Sequence, residues 1–230
     1  MIYYNPNPIT FYVRVNYIMK EPYFTFETIG NTAQSMLETL HNRQKRPVNI
    51  DDAALLVLDM QNYFLDSASH AFVPSAPAVV PNIKRLQEMF VSDGRKVIQT
   101  RHTNTRENGG QMNTWWKQLI EPDSQASLIV REIFCPGAGA VEKNQYDAFY
   151  KTNLEERLNA KSIKRVFITG VMTHLCCEST ARSAFARGFD VYIVADATAT
   201  YNRQFHMASL LNLSHGFAVP VLTKDVCNAV

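Results

Sequence analysis

Asp59, Lys143 and Cys176 are residue types that can between them move a proton, hold a negative charge and attack a carbonyl carbon. Asp59 ends the apolar run ALLVLD and precedes MQNYF. Its carboxylate has two readings there: a base whose pKa is raised by apolar neighbours, or a turn-capping aspartate. Lys143, in AVEKNQYDAF, reads by itself as a solvated ammonium. It gains a task only beside a thiol and a carboxylate, because an ammonium depresses a thiol's pKa and orients a carboxylate. Cys176 follows RVFITG and the loop VMTHL, at the start of the helical pattern ESTARSAFARG. The positive end of a helix and its unpaired N–H groups would bring a thiol from about 8.5 into the range of roughly 3.5 to 7.5, and could hold an oxyanion. A buried, inert cysteine is the other reading.

Cys177 adjoins Cys176, and helical spacing separates the two. Cys177, Ala181, Ala184 and Phe185 fall at i, i+4, i+7 and i+8, a small-residue face suited to packing on a sheet. Cys176 shares its face with Ser179, Thr180 and Ser183, which suits a pocket. A disulfide between neighbours closes a strained ring. With no CxxC pair to suggest zinc, Cys135, Cys176, Cys177 and Cys227 read as thiols in a reducing compartment.

These residues need a rigid frame. Six short runs, ALLVLD, KVIQT, SLIV, RVFITG, VYIVAD and AVPVL, read as strands buried on both faces. Between them VVPNIKRLQEMFVSDG repeats Val80, Ile83, Leu86 and Phe90 at helical spacing and ends in glycine, and TNLEERLNAK and ESTARSAFARG supply further helices. The pattern predicts an α/β three-layer sandwich with a mainly parallel sheet flanked by helices, its ligand site at the carboxyl ends of the strands. Residues 51–230 form this domain and residues 1–50 an N-terminal arm or extension. In the arm Ile9, Phe11, Val13, Val15 and Tyr17 alternate as in a strand, and Asn31 or Thr32 caps the helix AQSMLETLHNRQ. Met19, opening MKEPYFTF, is a second candidate start.

With 230 residues, 46% of them hydrophobic, the chain can bury one sizeable core. Its 23 Lys+Arg balance 21 Asp+Glu, so no nucleic-acid footprint shows and a small molecule is the expected partner. No run reaches the roughly 18 apolar residues of a spanning helix, and the first 20 residues lack a secretory pattern, which predicts a cytoplasmic protein without a membrane partner.

Taken together, LLVLDMQNYF, FVPSAPAVVPNI, VEKNQYDAFYKTNLEERL and GVMTHLCCESTARSAFARGFDVYIVADATAT resemble the isochorismatase-like cysteine hydrolase superfamily, from about residue 50 to the end. The resemblance implies a catalytic triad of Asp59, Lys143 and Cys176, and a cis peptide at Val171–Met172. It also implies an oxyanion hole from the N–H groups of Met172 and Cys176, and assembly as a homo-oligomer. Two departures matter. Metal-binding nicotinamidases carry Asp-x-His after the second strand, whereas this chain has TRHTNT, leaving His102 as a single ligand; no metal and no cofactor is expected. Isochorismatase has glycine where Cys176 stands. The expected activity is therefore hydrolysis of a C–N bond in a small amide, ureido or carbamoyl-type substrate through a thioester. Vinyl-ether hydrolysis with Asp59 as acid, and a non-catalytic redox-responsive binding protein, are the alternatives. His70, Phe72, Trp115, Trp116, His174 and Tyr201 are the candidate substrate contacts by position.

Overall fold

The computed structural model describes residues 19–40, 46–116 and 118–229. The alternating segment from Ile9 to Tyr17 lies outside the described residues. Six strands build one parallel sheet in the order β3-β2-β1-β4-β5-β6: β1 (Ala53–Leu58), β2 (Lys96–His102), β3 (Gly139–Lys143), β4 (Arg165–Val171), β5 (Asp190–Ala199) and β6 (Val219–Val221). All six residues of β1 are buried, as a central strand covered on both faces requires. In chain order the helices are α1 (Ile29–Glu38), α2 (Asn62–Leu65), α3 (Ala76–Ser92), α4 (Met112–Trp115), α5 (Leu154–Asn159), α6 (Glu178–Ala186), α7 (Arg203–Gly216) and α8 (Thr223–Cys227). The result is a three-layer α/β sandwich. In α3 it is Val79, with Ile83, Leu86 and Phe90, that is fully buried; Val80 is only partly so.

One predicted strand is misplaced. SLIV, residues 127–130, is a turn in which only Ile129 makes an isolated antiparallel bridge to Gln61. The third strand is instead β3, GAVEK, at one edge of the sheet; its pattern of buried and exposed residues and its two terminal charges hide it from a search for continuous apolar runs. The 14-residue α7 was also missed; its polar residues Ser209, Ser214 and His206 are buried along with Leu210 and Leu213, which blurs the periodic stripe. Helix α1 starts earlier than its predicted caps: Ile29 N donates to Thr25 O at 3.0 Å, and Ile29, Ala33, Met36 and Leu37 form the buried stripe, so Asn31 and Thr32 lie inside the helix.

Residues 19–40 are joined to the body by packing. Phe24 is 1% exposed and belongs to the same core as the sheet, and α1 packs on β5. No helix among the described residues is long and apolar enough to cross a membrane.

Candidate active site

Parallel strands deliver their carboxyl ends to one edge, and the site is assembled there. Asp59 follows β1, His102 and Lys143 end β2 and β3 side by side in register, and Cys176 follows β4 through a wide π-type turn, Thr173–Cys177. Connections from β1 run to β2 and β3 on one side and the later strands lie on the other, so Asp59 and Cys176 straddle the switch point where such sheets bind ligands. The backbone is specialised at this seam. Asp59 sits at φ +51°, and Gly170 at φ +106° lies so close to β1 that a Cβ would stand 2.1 Å from Leu58 O. Only glycine admits that approach. The Val171–Met172 peptide is cis.

Lys143 Nζ lies 2.7 Å from Asp59 Oδ2, 2.8 Å from Gln145 O, 3.2 Å from His102 Nδ1 and 3.5 Å from Cys176 Sγ. The other carboxylate oxygen, Oδ1, accepts from Thr100 Oγ1 at 2.6 Å, and Asp59 N donates to the same hydroxyl at 3.0 Å. Both charged side chains are fully buried. A buried ion pair persists when its remaining lone pairs and protons are bonded, and Thr100 and Gln145 do this here. Burial pulls the Lys143 ammonium toward neutrality, yet Asp59 and Cys176 outweigh it and raise its pKa, so it stays charged.

The Cys176 thiol departs from the expected low pKa. Burial first, then the Asp59 carboxylate, push Cys176 up to about 12 against the opposing pull of Lys143. The expected low pKa required an exposed helix start, whereas Cys176 sits in the π-type turn before α6 and is 4% exposed. The resting sulfur is therefore protonated and within reach of a carboxylate that can take the proton. Cys177 is core as its spacing predicted, buried with Ala181 and Ala184, but Phe185 is half exposed. The Thr180 and Ser183 face meets segment 147–148 instead of a pocket: Ala148 N donates to Thr180 Oγ1 and Ser183 Oγ to Asp147 Oδ2.

Ligand atoms of Asp59, His102 and Cys176 lie within 4.8 Å of one another, a spacing that would suit a cation. The cation there is the ammonium of Lys143, which touches all three. Burial and Lys143 hold His102 near 4, so the ring is neutral. Asn104 Nδ2 donates to Asn144 O, which leaves Asn104 Oδ1 to accept from His102 Nε2 at 2.6 Å and His102 Nδ1 to accept from Lys143. A nicotinamidase-type metal ion does not fit a donor set already filled in this way. His102 is a neutral prop for the ammonium.

Cys176 and Met172 open onto a cavity of about 530 Å³. Of the residues expected by position, His70, Trp115, Trp116 and Tyr201 line it. Phe72 and His174 do not: His174 stacks on Phe205 at 4.5 Å and bonds Thr200 Oγ1 at 2.5 Å. Residues the sequence reading missed include Tyr63, which donates to Gln118 O at 3.1 Å, and Tyr146, whose hydroxyl takes the Trp116 indole N–H at 2.8 Å. Both come from segments without periodicity, where no local pattern marks a pocket wall. Lys20, from the N-terminal segment, also lines the cavity.

The Isochorismatase domain pattern matches residues 53–225 of this chain. The chain belongs to the isochorismatase-like hydrolase family. Among curated members, Nicotinamidase 3 of Arabidopsis thaliana is 39% identical over 183 residues, 77% of this chain and 88% of that protein. The isochorismatase of Bacillus subtilis (strain 168) is 29% identical over 180 residues, 76% of this chain but 56% of that protein. Among solved structures, a cysteine hydrolase from Pseudomonas syringae pv. phaseolicola 1448A superposes with a TM-score of 0.73 at 21% identity, covering 82% of this chain and 98% of that one; at this identity it speaks for the fold.

Proposed function

We propose that this member of the isochorismatase-like family is a cysteine amidohydrolase that cleaves the C–N bond of a small amide, ureido or carbamoyl-type substrate. The observation that carries the reading is Lys143 Nζ poised between Asp59 Oδ2 and Cys176 Sγ beside an aromatic cavity. Asp59 takes the proton from Sγ as the sulfur forms a bond to the carbonyl carbon. Lys143 lowers the cost of the developing thiolate, and the N–H groups of Met172 and Cys176 hold the oxyanion. The C–N bond then breaks and the nitrogen leaves as ammonia or an amine with the proton held by Asp59. Water next attacks the thioester, giving one proton to Asp59, which passes it to the departing sulfur. The acid is released and the thiol restored.

The buried, protonated state of Cys176 fits general-base activation better than oxidant sensing, which favours accessible thiolates. A glycine at the nucleophile position would suit ether cleavage; this chain keeps the thiol. The test is a panel of small amides that includes nicotinamide, N-carbamoyl amino acids and ureido acids, read by ammonia release from wild type and Cys176→Ala. Release that disappears in the variant supports the reading. No release from any amide, or vinyl-ether hydrolysis that survives Cys176→Ala, overturns it.

A further inference from the structure

The cavity has a buried reactive end and an open end, and a charge stands at the open one. Cys176 is 4% exposed, whereas Lys20 is exposed on the segment that precedes α1. That segment is fastened at several points. Glu21 N donates to Tyr201 O at 2.8 Å and the Glu21 carboxylate accepts from Arg203 N at 2.8 Å. The Tyr23 hydroxyl meets His206 Nδ1 and Thr200 N at 3.0 Å each, and Phe24 N donates to Ser75 Oγ at 3.0 Å. Lys20 is thus held in place: its ammonium donates to His70 O at 2.5 Å and lies 4.3 Å from the centre of the Tyr201 ring.

What Lys20 lacks is an anion. No aspartate or glutamate is among the described residues that line the cavity, and none of the described residues forms an ion pair with Lys20. A carbonyl and a ring face leave its formal charge uncompensated, and partial burial lowers its pKa. An entering carboxylate would supply the missing charge and a charge-assisted hydrogen bond, and Trp115, Trp116 and Tyr63, which also line the cavity, offer ring surface to an apolar body.

We propose that Lys20 makes this a site for amides that also carry a carboxylate, the ammonium holding the carboxylate at the open end while the amide reaches Cys176. This deepens the amidohydrolase reading and rests on it for the identity of the reacting group, but the binding preference can be measured without turnover. The probes are 4-carbamoylbenzoate and benzamide, added to Cys176→Ala protein and followed by calorimetry and by tryptophan fluorescence. The anionic probe should bind about 10- to 100-fold more tightly, the worth of a hydrogen bond to a charged group. Lys20→Met in the same background should erase that preference, Lys20→Arg should keep most of it, and added salt should shrink it. Failure of 4-carbamoylbenzoate to bind, equal binding of the two probes, preference for benzamide, or a preference that survives Lys20→Met overturns the proposal. If the preference holds but wild type releases ammonia from no amide, the hydrolase reading fails and the anion site stands.

Discussion

Lys143 is defined by what surrounds it. An ammonium among a carboxylate, a thiol, a neutral imidazole and a carbonyl is bonded on every side, and each partner is set by a different strand end or turn. Asp59→Asn keeps an oxygen for the Thr100 hydroxyl but cannot accept a proton; steady-state assays should show kcat reduced by a factor of about 100 or more, and unchanged turnover would remove Asp59 from the mechanism. The cysteines should differ in reactivity. Labelling of Cys176 by iodoacetamide should be slow at pH 7 and accelerate continuously toward pH 10, since a thiol whose pKa is about 12 gains thiolate throughout that range. Peptide mass mapping should find Cys177, with no exposed surface, unlabelled. A labelling rate at Cys176 that is already flat above pH 6 would mean that the helix start, and not Asp59, prepares the sulfur.

At the scale of elements, the seam between β1 and β4 controls the site. Gly170 pairs with Leu58, the residue before Asp59, and only the missing Cβ lets the two backbones meet as they do. Gly170→Ala adds a methyl carbon 2.1 Å from Leu58 O at a φ of +106°. Denaturant titration should show a loss of about 3 kcal/mol or more, with activity lost in the fraction that still folds because the turn carrying Asp59 is displaced. Wild-type stability would show that the strands can separate without cost. The sequence marks Gly170 only as the glycine after RVFIT; its necessity comes from a strand more than 100 residues away.

Across the whole molecule, buried histidines tie stability to pH. Burial is the main cause that holds His102 and His174 near 4 and His206 near 3, well under the ordinary 6.5 of an unfolded chain. The unfolded chain therefore binds protons that the folded one refuses between pH 6.5 and about 4 for His102 and His174, and down to about 3 for His206, so this contribution is complete above 6.5 and is lost as pH falls through that window. Urea midpoints should decline steadily from pH 7 to pH 4.5; a flat profile would mean that these rings are charged in the native state. The sequence by itself determined the sheet's central strands and the helices over LEERLN and ESTARSAFA, because continuous apolar runs and helical spacing are local properties; Asp59 and Cys176 drew attention at the ends of such runs, whereas Lys143 was singled out only by the resemblance to the isochorismatase-like family. The sequence also marked Cys177 as core through its i, i+4 and i+7 spacing with Ala181 and Ala184, although both cysteines lie in the turn Thr173–Cys177 that precedes α6. It could not find the edge strand GAVEK, whose pairing with β2 is what places Lys143 beside His102. Nor could it give the state of the thiol or the presence of Lys20 in the cavity. Proton affinity depends on which charges and how much water surround a group, and a cavity on which distant segments meet; both are fixed only when the chain has packed.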